Sequence, residues 1–312
     1  MNYMPKKKYI IVSVIGIFIF ITLLLVYRYQ QPYYKKYHYI AHALGGIDDK
    51  AYTNSLDAME YSYSKGFRVL EVDFLFTKDK RLVARHEWSD ELGDNFSDEN
   101  IPTYEEFMKI KVYGTYTPVG IEEIIQFAME HPDVYFVTDT KEYETGIYDM
   151  LQVIEDTSKS LGYTQASRQF VIQFYTYENY EEIQKSFDFE NYIFTLYNIK
   201  SELKENGIDN ILEWCLENNI KVVTLPKAYA TKENVSKLEK SGITTYTHTV
   251  DSLSRWKKLQ EAGVSGVYTN FINPIKQYIK GTIKISAILG AVMIFVLTIF
   301  LIKTKLEKRK SE

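Results

Sequence analysis

Strand-like and helix-like runs alternate eight times through the middle of this 312-residue chain, which predicts a (β/α)8 barrel flanked by two transmembrane helices. Three observations carry the prediction. Eight short apolar runs rich in β-branched and aromatic residues lie between Tyr37 and Lys280, and helical patterns separate most of them. Histidines and carboxylates gather at the ends of those runs rather than along them. No G-x-G-x-x-G follows any of them, which removes the nucleotide-binding form of the rival fold, a doubly wound open sheet.

The strand runs, in order, are "YIAHAL", "FRVLEVDFLF", "VYFVTDT", "QFVIQFY", "YIFTLY", "KVVTLP", "TTYTHTV" and "GVYTN". Between them come "SLDAMEYSYSKG", "GIEEIIQFAMEHP", "IYDMLQVIEDTSKSLG", "NYEEIQKSF", "ILEWCLENN", "KENVSKLEKSG" and "LSRWKKLQEAG", each with apolar residues at helical spacing. A ninth strand-like run, "RLVARHEW", follows the second strand after only "TKDK". A parallel neighbour needs a crossover of about a dozen residues, so this run must fold back as a hairpin. With Asp79-Lys80 as a two-residue turn, Lys78 pairs with Arg81 and Asp73 falls opposite His86.

The flanks differ in kind. "YIIVSVIGIFIFITLLLV" (Tyr9–Val26) and "ISAILGAVMIFVLTIFLI" (Ile285–Ile302) are each 18 residues without a charge. A bilayer core of ~30 Å takes about 20 apolar helical residues, so both reach the lower edge of that range. The bulky "YRYQQPYYKK" after the first lacks the small-residue site that would make it a cleaved signal peptide. The expected organisation is a cytoplasmic N-terminus (1–8), a transmembrane helix (9–26), a linker (27–37), the barrel (38–280), a second transmembrane helix (285–302) and a basic cytoplasmic tail (303–312). Eight Lys and Arg residues lie outside the pair of spans and six just inside, a bias that favours cytoplasmic termini and an extracytoplasmic barrel at the cell membrane.

Hydrophobic residues make up 46% of the chain, enough for a large core, and the net charge of -4 argues against a nucleic-acid partner. The single cysteine, Cys215, forms no internal disulfide, and its helical context marks a buried structural residue.

Chemistry in a barrel of this kind sits at the carboxyl ends of the strands. His42 ends the first strand; Glu71 and Asp73 share a face at the end of the second; Asp139 and Lys141 end the third; His248 ends the seventh. Hard divalent cations prefer carboxylate oxygens, so Glu71, Asp73 and Asp139 are candidates for one Mg²⁺ or Ca²⁺ site. Two histidines beside such a site suit phosphodiester cleavage: of His42 and His86, one takes a proton from the attacking hydroxyl and the other gives one to the leaving oxygen. Lys141 would offset charge on the phosphoryl oxygens. With Asn54 and His248 it makes up the expected substrate side.

The ordered set "AHALGG", "YTNS", "EVD", "TKDK", "ARHEW", "VTDTK", "YTHTVD" and "GVYTNFINP" resembles the glycerophosphodiester phosphodiesterase superfamily, which includes phosphatidylinositol-specific phospholipases C. The family pattern runs histidine-arginine-glycine, glutamate-asparagine, E-x-D, T-x-D-G, histidine-aspartate and glutamate-x-lysine. It closes with W-T-V-N and G-I-x-T-D-x-P. The resemblance covers about Tyr37 to Pro274 and implies a metal-dependent phosphodiesterase barrel. The chain departs from the pattern at Ala43 (for the phosphate-holding arginine), Thr53 (for a metal glutamate), Asp139 (for a later glutamate) and Glu87 (for aspartate). The expected function is a membrane-anchored phosphodiesterase acting on glycerophosphodiesters, lipid headgroups or polyglycerolphosphate wall polymers. A lyase outcome through a neighbouring substrate hydroxyl is a variant. The alternative class is a non-catalytic barrel that binds or assembles at the cell surface.

Overall fold

A computed structural model describes residues 6–89, 96–140 and 146–279. Strands β1 (Tyr39–Ala41), β2 (Val69–Phe76), β4 (Tyr135–Thr140), β5 (Phe170–Phe174), β6 (Asn191–Thr195), β7 (Val222–Leu225), β8 (Thr244–Thr247) and β9 (Gly266–Thr269) match the eight expected runs. They pair in parallel, and β1 bonds both β2 and β9, so the sheet closes into a barrel and the open-sheet rival falls. β3 (Leu82–Ala84) folds back antiparallel on β2 as the short "TKDK" connection requires.

Helices α1 (Lys6–Gln30) and α2 (Tyr33–Lys36) precede the barrel. The crossovers then carry α3 (Leu56–Ser64), α4 (Tyr104–Lys109), α5 (Ile121–Glu130), α6 (Gly146–Ser160), α7 (Ala166–Gln169), α8 (Tyr177–Ser186), α9 (Lys200–Asn206), α10 (Asp209–Glu217), α11 (Lys232–Lys240) and α12 (Leu253–Ala262). Ser55, Thr103, Thr176 and Thr231 each cap a helix by accepting a hydrogen bond from a backbone N–H of its first turn. The apolar faces of the longer helices pack on the outside of the sheet in one continuous core, where Cys215 lies buried as expected.

The hairpin register differs from expectation by one residue. Phe74 pairs with Ala84, and the Arg85 N–H donates to the Asp73 carbonyl, so Asp73 stands opposite Arg85 and not His86. The turn holds three residues, Lys78 to Lys80. The Thr77 hydroxyl sets it by bonding Asp79 and the Arg81 backbone, while Lys80 takes a left-handed φ of 60°.

Most of the expected linker is folded. α1 continues to Gln30, and α2 carries Tyr33 into the lower mouth of the barrel at 1% exposure, against inward-facing Ile40, Val69, Val137 and Tyr246. The Tyr246 hydroxyl donates to the Tyr37 carbonyl at 2.6 Å and pins the same segment. On α1, consecutive large side chains from Ile17 to Ile21 are all about half exposed or more, so this stretch of the helix has no packed face. Among the described residues no helix is long and apolar enough to cross a membrane. The side chains of residues 9–14 and 25 in the first expected span lie outside the described residues, as do the second expected span (285–302) and Lys141.

Candidate active site

β2 positions two of the carboxylates. Along a strand alternate residues share a face, so Val69 closes the barrel floor while Glu71 and Asp73 stand above it, facing inward. The parallel register sets Asp73 beside Asp139 of β4. Ligand oxygens of Glu71, Asp73 and Asp139 come within 4.8 Å of one another, with Glu71 and Asp73 buried and Asp139 partly so. Three carboxylates this close repel unless positive charge intervenes, and an all-oxygen donor set of this kind fits a hard divalent cation.

Each carboxylate is oriented by a partner. Glu71 Oε2 accepts the Ala43 N–H at 2.6 Å. That N–H points inward because the backbone turns at residue 43, where φ is 51°. Asn54 donates from Nδ2 to Asp73 Oδ2 at 2.8 Å and accepts the Asp73 N–H at 3.2 Å. Asn54 is only 1% exposed and both ends of its amide are committed, so it orients a metal-ligand candidate rather than facing substrate. Asp139 is held by a relay: Tyr268 donates to Gln173 Oε1, Gln173 Nε2 to the Tyr175 hydroxyl, and that hydroxyl to Asp139 Oδ1. Burial, and the nearby Glu71 and Asp139 charges, hold the Tyr268 hydroxyl far above its usual pKa, so it acts as a donor.

Two glycines follow His42, and the structure shows what they are for. A Cβ on Gly45 would lie 2.0 Å from Ser62 Oγ, and one on Gly46 would lie 2.2 Å from the Phe271 ring. The loop therefore passes close against α3 and the chain after β9, with the Gly46 N–H donating to the Asn270 carbonyl at 2.9 Å. The glycines serve close approach, which holds His42 in place, rather than flexibility.

His42 is 6% exposed, and its ring centroid lies 6.1 Å from that of His248. The His248 ring packs on Tyr197 and Tyr268 at 4.4 and 4.9 Å. His86 is about one-third exposed and meets the carboxylate of Glu87 only at 3.8 Å. The two candidate catalytic histidines are linked by a residue that sequence reasoning passed over: Tyr52 meets the His42 ring at 4.8 Å and the His86 ring at 5.0 Å, edge-on to both. Asn270 and Asp251 fall inside the closing motifs with no sequence signal of a role, yet Asn270 bonds His42 and Asp251 bonds Asn270. Thus one rim holds the three acids, His42, His248 and, across Tyr52, His86.

The family model for "Glycerophosphoryl diester phosphodiesterase family" matches residues 45–274, well over half of the chain. Solved structures with the same fold include a phosphodiesterase from Oleispira antarctica in complex with the product sn-glycerol-3-phosphate, 15% identical with a TM-score of 0.62, covering 78% of this chain and 97% of that one. A glycerophosphodiester phosphodiesterase from Thermotoga maritima is 17% identical with a TM-score of 0.57, covering 78% and 96%. A glycerophosphoryl diester phosphodiesterase from Parabacteroides distasonis is 16% identical with a TM-score of 0.59, covering 78% and 86%. No curated protein matches the chain. The chain belongs to the glycerophosphoryl diester phosphodiesterase family and is a phosphoric diester hydrolase.

Proposed function

We propose that this chain is a membrane-anchored, metal-dependent phosphodiesterase that cleaves a glycerophosphodiester or a related diester by His42/His86 acid–base catalysis. The single observation that carries the reading is the Glu71, Asp73 and Asp139 cluster, packed within 4.8 Å at the carboxyl rim. Those three residues would hold one divalent cation, Mg²⁺ or Ca²⁺, which when bound stabilises charge on the phosphoryl oxygens. His42 and His86 then divide the proton transfers, one receiving the proton of the attacking hydroxyl and the other protonating the leaving oxygen. Tyr52 keeps the two rings at a set separation. His248, tilted against Tyr197, lines the substrate side, and Lys141 follows Asp139 in sequence as a phosphate partner.

Membrane anchoring rests on the uncharged runs at residues 9–26 and 285–302, and on the apolar side chains exposed all round α1 from Ile17 to Ile21. Because α2 seats Tyr33 in the lower mouth of the barrel, the anchor joins the end opposite the catalytic rim. This supports a rim directed away from the lipid, with cytoplasmic termini. It favours soluble diesters or polyglycerolphosphate wall polymers over headgroups of the anchoring leaflet.

The test is turnover by the full chain in detergent on glycerophosphodiesters and polyglycerolphosphate, with chelator and after return of Mg²⁺ or Ca²⁺. Chelator should abolish cleavage and the cation restore it. Full activity in chelator would remove the metal from the reaction. Faster cleavage of headgroups in the chain's own liposomes than of soluble diesters would reverse the orientation.

A further inference from the structure

Behind His42 lies a short relay of hydrogen bonds whose directions can be read. Asp251 Oδ1 accepts from the Asn270 N–H at 2.7 Å and the Thr269 hydroxyl at 2.8 Å, with the Phe271 N–H at 3.3 Å. Asp251 Oδ2 accepts from Asn270 Nδ2 at 2.9 Å. An ionised carboxylate only accepts, so the amide of Asn270 must turn its NH₂ toward Asp251. That leaves Oδ1 facing His42 Nδ1, at 3.1 Å. An amide oxygen likewise only accepts. His42 therefore carries its proton on Nδ1, and its lone pair lies on Nε2.

Without Asp251 the direction is lost. An amide at position 251 can either donate or accept, so Asn270 could present its NH₂ to His42 and move the ring proton to Nε2. The ring would then lack a base on the nitrogen not held by Asn270. The remaining contacts keep Asn270 itself fixed: it is 7% exposed, and its carbonyl accepts the Gly46 N–H from the loop that follows His42.

Exchanging the two residue types would equally give one carboxylate and one amide within hydrogen-bond reach, with an acceptor oxygen toward the histidine.

We propose that Asp251, acting through Asn270, is a positioning pair that locks His42 as its Nδ1–H tautomer and so presents Nε2 to the substrate. The functional half of this rests on His42 being a proton-transfer group.

The test has two arms on the full chain in detergent. In the first, ¹⁵N NMR of histidine-labelled protein reads the tautomer directly. Wild-type His42, assigned by its loss in His42→Ala, should show a protonated Nδ1 and a bare Nε2, and Asp251→Asn should shift it toward the other tautomer. The second arm is steady-state kinetics on a glycerophosphodiester. Asp251→Asn should lower kcat by about 10–100-fold, the range for lost outer-shell partners, with KM nearly unchanged. Asn270→Asp keeps an acceptor toward Nδ1 but sets two carboxylates against each other where an amide donated, and should lower kcat through that repulsion while leaving the Nδ1–H tautomer in place. The double exchange D251N/N270D should recover most of the loss, because it restores a carboxylate–amide pair in the other order. A bare Nδ1 in the wild type would overturn the proposal, as would a double exchange no faster than the single variants at wild-type thermal stability. His42→Ala separates the failures: wild-type turnover there removes His42 from the reaction. A dead His42→Ala beside an unimpaired Asp251→Asn removes only the positioning pair.

Discussion

Asn54 holds Asp73 with both ends of one amide, donating to its carboxylate at 2.8 Å and accepting from its backbone N–H at 3.2 Å. The pair is buried, so the carboxylate of Asp73 has little freedom to rotate away from Glu71 and Asp139. Asn54→Ala should therefore weaken divalent-cation affinity by about 10–100-fold, as loss of an outer-shell partner does elsewhere. Calorimetric titration of Mg²⁺ and Ca²⁺ into both proteins is the measurement, and equal affinities would remove Asn54 from the cation site.

His42→Ala and His86→Ala should each lower kcat by about two to four orders of magnitude, the span of general acid–base catalysis. The double variant should be little worse than either, because the two groups act as one unit. Tyr52→Ala, at a side chain 39% exposed, should leave the thermal midpoint nearly in place yet reduce kcat/KM by loosening both rings. Multiplicative losses in the His42/His86 double variant would show two independent roles.

Tyr33 is 1% exposed, and its hydroxyl has no hydrogen-bond partner among the described residues. A buried polar group left unmatched costs about 1–3 kcal/mol. Tyr33→Phe keeps the ring and removes that cost, so it should raise the thermal midpoint. Tyr33→Ala empties the socket and should destabilise by about 3–5 kcal/mol. Thermal melts of the three proteins decide it; a lower midpoint in Tyr33→Phe would mean the hydroxyl is satisfied.

His38 Nδ1 donates to the Ser265 carbonyl at 2.8 Å; partial desolvation of the ring lowers its pKa from the ordinary 6.5, and because the residue is still exposed to solvent the effect on stability is small. The folded chain thus binds fewer protons at this site than the unfolded chain once the pH falls below about 6.5. The stability it contributes is complete above that value and is lost as the pH drops toward the folded pKa. Melts at pH 7.5 and 5.0 should show a smaller acid loss in His38→Gln than in the wild type, since all other groups are shared. Equal losses would exclude His38 as a source of acid sensitivity.

The eight barrel strands are legible because each is a short apolar run bounded by polar turns, and Asp139 because it nears the end of such a run; Glu71 and Asp73, expected to end the second strand, lie within it, since β2 runs on to Phe76 to pair with β3. The hairpin register slipped by one because its turn is set by the Thr77 hydroxyl and a left-handed Lys80, neither of which shows in the charge pattern. The Asn270 contact was out of reach for another reason. It joins residues 228 positions apart, and only barrel closure brings β9 against β1. Tyr52 was missed as an ordinary loop tyrosine in a chain with 27 of them. Tyr33 reads as linker because one proline among tyrosines does not announce a socket that the rest of the chain has yet to build.

That socket bears on the order of folding. Its wall runs from Ile40 on the first strand to Tyr268 on the last, and the bond from Tyr246 to the Tyr37 carbonyl spans 209 positions. Residues that precede the first barrel strand therefore wait for the last strands of the barrel before they find their place. Contacts of such long range form late on the folding path. Changes at Tyr33 should then leave the refolding rate nearly unaltered and act on the rate of unfolding, making this tyrosine a latch on the closed barrel rather than part of its nucleus.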